Sequence, residues 1–319
     1  MSIEHPLISI VTPSYNQGQF IRETIESVLG QSYDRLEYFV MDGGSTDDTV
    51  SILKEYESDP RFHWVSEKDN GQSDAINKAW RQSQGDVVAW LNSDDTYCED
   101  ALQRVADAFA HHPDAIGVYG ECMYTDAEGV PWRETFQGEV TRQAVLNLSC
   151  YIDQPTVFVK LDRAKAAGMV DESFHHQMDY ELWLRVGFPN DFVYIPAFLA
   201  TWRAHEETKS VSNPRRGGDE LLRIIQKAEE GFYPLEPDEI DMLNNGAKRR
   251  AIEYLLADSI SRETMSLARN HLQKHPEHLK SLSYRAVKTL GRDTMRNVGV
   301  SQERLRKWVE IGRRMKIIR

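Results

Sequence analysis

Asp94 and Asp95 stand side by side just after an apolar, strand-like run, Asp86–Leu91. Adjacent carboxylates repel unless a cation or protons intervene. Oxygen ligands of this kind suit Mg2+ or Mn2+, which combine carboxylates with substrate phosphates. The competing reading is that they cap a helix beginning near Glu99. Three more polar clusters end apolar runs: Thr12-Pro13-Ser14-Tyr15-Asn16, Asp42-Gly43-Gly44-Ser45 and Glu67-Lys68-Asp69-Asn70-Gly71. Turns favour these residue types for backbone reasons, so each cluster alone is equally a loop. Together with Asn92-Ser93-Asp94-Asp95 they make four in series, where open α/β sheets bind ligands. Neither GxxxxGK[ST] nor GxGxxG follows the first strand, so P-loop ATPase and dinucleotide dehydrogenase readings lose their support.

The second half offers a further acid in His176-Gln177-Met178-Asp179-Tyr180-Glu181-Leu182-Trp183. On a helix, Asp179 shares the apolar face of Leu182 and Trp183, while Glu181 lies four residues before Arg185 and reads as a surface ion pair. An acid at the mouth of an apolar stripe is either an N-cap or functional. Arg203-Ala204-His205 follows a strand-like run, and His205 is either a ligand or a packing residue. Gln154-Pro155-Thr156 either borders a cleft or forms a turn.

The elements that must position these residues alternate. Strands are expected at Leu7–Thr12, Leu36–Met41, Phe62–Ser66, Asp86–Leu91 and Ala115–Tyr119. Between them come helices: one with Phe20, Ile21, Ile25, Val28 and Leu29 at helical spacing, one capped by Ser45 or Thr46, then Ser73–Ser83 and Glu99–His111. Such alternation predicts an α/β fold, a mainly parallel sheet with helices on both faces. After Gly120 the pattern loosens into hairpin-like pieces, a helix at about Asp179–Val186, and strand-like runs Phe192–Ile195 and Ala197–Trp202. From Pro214 the chain reads as helical, giving an expected division into 1–213 and 214–319, with halves of about 1–120 and 121–213 in the first.

Four ordered motifs give these clusters a family likeness: the Thr12–Asn16 turn, Asp42-Gly43-Gly44-Ser45-Thr46-Asp47, Asp69-Asn70-Gly71-Gln72-Ser73-Asp74-Ala75-Ile76-Asn77, and Trp90-Leu91-Asn92-Ser93-Asp94-Asp95. From about Pro6 to His205 the chain resembles glycosyltransferase family 2, whose members are inverting GT-A-fold enzymes using nucleotide-diphosphate sugars. The resemblance implies that Thr12, Ser14 and Tyr15 approach the nucleotide and that Asp42, beside Gly43, holds the base or ribose. It places Asp69, Gly71, Asp74 and Asn77 along the diphosphate and donor sugar, with Asn92 and Asp94 in the donor-binding acidic motif. Asp94, Asp95 and His205 become candidate contacts to Mn2+ or Mg2+. Many members have an acid where this chain has Asn92, which leaves the choice between Asp94 and Asp95 open. Asp179 matches the family's catalytic base, and Gln154 and Trp183 are candidate acceptor contacts. The implied partners are a nucleotide-diphosphate sugar, UDP by family frequency, and a saccharide or lipid-linked saccharide of bacterial cell-surface polysaccharide synthesis.

Charge sets further expectations. The net charge of −12 divides into +9 for Lys280–Arg319 and −21 for the rest. An acidic body is a poor electrostatic trap for nucleic acid. In Glu303–Arg319 the apolar residues Leu305, Trp308, Val309, Ile311, Met315 and Ile318 form a helical stripe among cations. That pattern fits either an anionic membrane surface or a packing helix. Three cysteines without metal or redox spacing, no secretory leader and no apolar span of roughly 20 residues suggest a cytoplasmic protein, peripheral at the inner face of the plasma membrane if the tail binds it. A non-catalytic nucleotide-sugar or glycan-binding module, or a membrane-associated scaffold, is the competing class.

Overall fold

The computed structural model describes residues 6–136, 138–149, 152–205, 208 and 214–257. The predicted membrane-binding stripe in 280–319 lies outside them. Contacts divide the chain into two compact units, one running to Val145 and resuming through Thr208, the other combining Leu146–Ser149 with the C-terminal helices.

The first unit is built on one sheet. Strands β1 (Ile8–Ser14), β2 (Leu36–Asp42), β3 (Phe62–Ser66) and β4 (Val87–Trp90) lie parallel in the order β3-β2-β1-β4. Every residue of β1 is buried, as a central parallel strand covered on both faces requires. Ile8, Ile10, Tyr38, Val40 and Ala89 face helices α1 (Ile21–Leu29) and α4 (Ala101–His111), joining Ile25, Val28, Leu102, Val105 and Phe109 in one core. Each such aliphatic or aromatic side chain stabilises the fold by roughly 1.5–3 kcal/mol when fully buried. The opposite face takes α3 (Gln72–Gln82), whose Trp80 packs on Trp90 of β4 at 5.7 Å.

Beyond β4 the sheet is mixed. It continues through β8 (Phe158–Lys160), β6 (Gly117–Thr125), β9 (Phe192–Arg203) and β5 (Thr96–Tyr97), while β7 (Pro131–Thr135) pairs with β6. Of these added pairings only β6 with β9 is parallel. The expected parallel arrangement therefore holds for the first four strands. After Gly120 the regular strand–helix alternation stops: β7 and β8 return antiparallel to β6, and β9, reached through two short helices, runs parallel to it. The two runs expected at 192–195 and 197–202 are one strand. Pro196 sits where the β6–β9 register shifts, and there its missing N–H costs no ladder bond.

Short helices complete the unit: α2 (Thr49–Lys54), α5 (Arg142–Leu146), α6 (Leu161–Ala166) and α7 (Met178–Arg185), with a 3-10 turn at Gln154–Thr156. Helix α2 begins two to three residues later than a Thr46 or Ser45 cap predicts. Asp47 holds that corner instead, accepting from the N–H groups of Gly18 (2.9 Å) and Thr49 (3.0 Å).

In the second unit α8 (Pro214–Glu229) and α9 (Pro237–Ala257) bury Leu221, Ile224 and Ala228 on one and Leu243, Ala247 and Ala251 on the other. Arg249 donates to the carbonyls of Asn147 (2.9 Å) and Leu148 (3.1 Å), and this fastens 146–149 to α9. A Cβ at Gly246 would meet the Asn147 backbone at 2.5 Å, so only glycine allows that approach.

Burial decides the cysteine chemistry. It pushes the Cys98 thiol up to about 11 and the fully buried Cys122 well above its ordinary value. At pH 8 roughly one Cys98 in a thousand is then thiolate. In a Cys150→Ser protein, Ellman's reagent is expected to leave both thiols unmodified for hours under native conditions and to titrate two after unfolding. Reaction of either within seconds in the folded protein contradicts this.

Candidate functional site

Strand register assembles the site. Pairing sets Ser14 opposite Asp42, and Asp42 opposite Ser66, so three predicted loops leave one sheet edge side by side. Asn16 and Ser45 stitch the first two loops: Asn16 N–H donates to Ser45 Oγ (2.7 Å), and Thr46 N–H to Asn16 Oδ1 (2.9 Å). Asp42 is 2% exposed and its carboxylate is occupied by the loop, accepting from Ser45 N–H (2.9 Å), Gly44 N–H (3.1 Å) and Ser66 Oγ (2.6 Å). It thus forms the floor beneath Gly43 and Gly44. Thr12 is also buried, its hydroxyl paired with Tyr38 at 2.9 Å, whereas Tyr15 stands out in solvent. The buried Ser14 hydroxyl has no hydrogen-bond partner among the described residues.

The next loop closes on this floor. Asp69 accepts the Gly71 N–H at 2.8 Å, and its carboxylate oxygen lies 3.1 Å from where a Cβ on Gly43 would sit. Gly71, at φ +110°, makes the turn into α3 that side chains disfavour. Asp74 accepts from the Asn70 N–H (3.0 Å), a bond that, with Lys78, holds its carboxyl below the usual range. Asn77, expected along the donor sugar, instead joins α3 to the segment before α7, bonding the N–H and C=O of Val170 at 3.0 and 2.8 Å.

Asp94 and Asp95 part company. Asp95 is 1% exposed and accepts from Arg203 N–H (3.0 Å) and Asn92 Nδ2 (3.1 Å). Burial first, and then Asp94, hold its carboxyl well above the ordinary range. Asp94 keeps a 20% exposed side chain and meets His205 Nε2 at 2.8 Å. Neither caps α4, whose N-cap is Asp100. Asn92 also accepts from Gln72 Nε2 (2.6 Å) and approaches Gln154 Oε1 (3.4 Å), while Gln154 donates to the Trp90 carbonyl (2.7 Å). These amides tie the acidic loop to α3 and to the 3-10 turn.

In sequence Arg203 stands only as the neighbour of His205, with no role of its own. It is 4% exposed and donates through Nε to the Asp94 carbonyl (3.0 Å) and through Nη1 to Ala127 (3.0 Å), and it pairs with Glu23 of α1. Its partners lie 76 to 180 residues away in sequence, so no local pattern announces it.

Asp179 lies in the first turn of α7, but Gln177 takes the N-cap position. Asp179 is 8% exposed and accepts from the Tyr180 N–H at 2.7 Å. The start of α7 is held to the start of α3 by Ser73, which donates to the Phe174 carbonyl at 3.2 Å and contacts Met178 Sδ at 3.5 Å. Trp183, expected at an acceptor cleft, is 2% exposed and stacked on Trp90 at 5.7 Å and 19°. Its apolar bulk is what anchors α7 to the sheet. The predicted surface pair Glu181–Arg185 is instead buried, with side chains 0% and 8% exposed and a 2.6 Å contact. Removing one partner strands the other charge. Glu181→Ala is therefore expected to cost about 3–5 kcal/mol in urea unfolding. A loss below about 1 kcal/mol would show the pair to be solvent-screened after all.

The Asp94–His205 pair supplies one carboxylate and one imidazole at the sheet edge. Among the described residues no three His, Cys, Asp or Glu side chains converge as a metal cage, so this pair would supply only two ligands to a divalent ion and would need water or ligand oxygens for the rest. A profile of Glycosyl transferase family 2 matches residues 9–162, from β1 to the start of α6, and so contains all four loops. Over that stretch the chain is a member of glycosyltransferase family 2. Within the family it is similar to the chondroitin synthase of Escherichia coli, at 30% identity over 65% of this chain and 30% of the relative. It also matches the putative teichuronic acid biosynthesis glycosyltransferase TuaG of Bacillus subtilis, at 45% identity over 40% of this chain and half of that protein. The chain thus spans between about a third and half of these relatives' lengths. Its fold is that of S. aureus TarS 1-349 in complex with UDP-GlcNAc, with TM-score 0.65 and 18% identity over 89% of this chain and 83% of that one. The mannosyltransferase PcManGT from Pyrobaculum calidifontis, in complex with GDP-Man and Mn2+, shares it at TM-score 0.59 and 17% identity, covering 89% and 86%. The GT-A architecture predicted from sequence is thereby shown.

Proposed function

We propose that this chain transfers a sugar from a nucleotide-diphosphate sugar, UDP-linked by preference, to a hydroxyl of a saccharide or lipid-linked saccharide, inverting the anomeric centre. The observation that carries this reading is the pairing of Asp94 with His205 at the edge where the four loops meet. Asp179 stands on a helix fastened to the third loop. Asp94 and His205 would hold a divalent ion, Mn2+ or Mg2+. When bound, the ion offsets negative charge on the departing nucleotide. The sequence between Gly71 and Asp74 opens α3, whose N-terminal dipole favours diphosphate. Asp179 removes the proton of the attacking hydroxyl, which displaces the nucleotide from the opposite face, so no covalent sugar–enzyme intermediate forms.

The names of the relatives from E. coli and B. subtilis support a role in cell-surface polysaccharide synthesis. Such a role would suit the cytoplasm or the inner face of the membrane. No helix among the described residues is long and apolar enough to cross a bilayer. The test is calorimetric titration of UDP, GDP, dTDP and CDP with and without Mn2+. Metal-dependent binding of UDP above the others is expected. Failure of all four nucleotides to bind folded protein removes the donor site.

A further inference from the structure

Residues 167–177 form no helix or strand, yet they lead straight into α7 and Asp179. A segment without a ladder takes its position from whatever bonds its backbone. One face of α3 supplies such bonds. Ser73 and Asn77, four residues apart on that helix and each 3% exposed, both meet the segment. The Asn77 amide accepts the Val170 N–H (3.0 Å) and donates through Nδ2 to the Val170 carbonyl (2.8 Å) and to Glu172 Oε1 (3.0 Å). Both hydrogens of its amide are thus used within the protein. A carboxylate in its place has no hydrogen to donate, and alanine would take this partner from two backbone groups of a buried residue. Ser73 adds a bond to the Phe174 carbonyl and a contact with the Met178 sulfur.

The same helix is tied to the acidic loop. Gln72, next to Ser73, donates to Asn92 Oδ1 at 2.6 Å. Met178, which Ser73 contacts at 3.5 Å, is joined directly to Asp179. Asn77 lies five residues beyond Gln72, roughly 7.5 Å along a stiff helix. Helix α3 is therefore one frame with two grips, the acidic loop at its first turn and the approach to Asp179 along its side. We propose that Asn77 is a positioning residue: through Val170 and Glu172 it fixes where Asp179 stands against the donor loops. This inference rests on the reading of Asp179 as the base.

The test follows UDP release with water in place of the acceptor, since water needs the same base. The donors are UDP-glucose, UDP-galactose, UDP-N-acetylglucosamine and UDP-glucuronate with Mn2+, and calorimetry of UDP runs alongside. Asn77→Ala in the whole chain is expected to lower kcat about a hundredfold while the Kd of UDP stays within about twofold of wild type. In an Asp179→Asn background the same substitution should change the residual rate by less than about twofold, because no base is left to misplace. A residue that only supports the fold would weaken UDP binding as well, or slow both backgrounds equally. Ser73→Ala deletes one hydroxyl, and the same pattern is expected at about fivefold. It carries the test if circular dichroism finds Asn77→Ala unfolded. A kcat for Asn77→Ala within about threefold of wild type, or an equal loss in both backgrounds, overturns the positioning role while Asp179 remains the base. If Asp179→Asn alone keeps turnover within about tenfold, or the wild type turns over none of the four donors, the underlying reading fails and this inference falls with it.

Discussion

Asp179→Asn is expected to lower kcat by about 10²–10⁴-fold while nucleotide affinity stays within about twofold, the range over which a positioned general base contributes. The substitution keeps the side chain's size and the oxygen that accepts the Tyr180 N–H at 2.7 Å, so the first turn of α7 survives. What it removes is the ability to take a proton. Because the nucleotide loops are built from other strands, ground-state donor binding has no reason to change, and the loss belongs in kcat. Steady-state kinetics with the matching sugar nucleotide, alongside calorimetry of the free nucleotide, separates the two effects. Turnover within roughly tenfold of wild type would sink Asp179 as the base.

Asp94→Ala has the complementary signature. It is expected to abolish the metal-dependent part of nucleotide affinity, about a hundredfold, since Asp94 is the carboxylate that remains partly open beside His205. Binding measured in EDTA should be the same for wild type and variant. His205→Ala should have the same direction and a smaller size, because a carboxylate carries the charge. Asp95→Ala is a different experiment. Asp95 is buried and joins Asn92 to the Arg203 backbone, so its loss is expected to lower the melting temperature before it reports on the metal. If Asp94→Ala retains wild-type Mn2+ dependence, the ion is held elsewhere and the pairing with His205 is structural.

The four loops were legible because each is a local signal. An apolar β-rich run followed by Gly, Asn, Asp and Ser reads as a strand and its turn whatever surrounds it. Likewise the alternation of 2-residue and 3.6-residue periods up to Tyr119 specifies parallel strands with helical crossovers. Past Gly120 the signal weakens for a physical reason. Strands β6, β8 and β9 are joined by short helices and irregular segments with no regular alternation, and their partners are chosen by packing between residues far apart in sequence. Glu181 shows the same limit at one residue. Its i,i+4 spacing to Arg185 correctly predicts the pair, but spacing carries no information on burial, and tertiary packing took both charges out of water.

From sequence alone, then, came the order of the elements, the loops at the carboxyl ends of β1, β2, β3 and β4, and the acids within them, because backbone preference and hydrophobic period act over a few residues. Only the tertiary structure decided how those acids differ. Asp42 is buried under its own loop, Asp95 is buried against Arg203, and Asp94 stays open to meet a histidine 111 residues away. Identical carboxylates acquire different chemistry through solvent access and the charge beside them, and both quantities exist only once distant strands have paired.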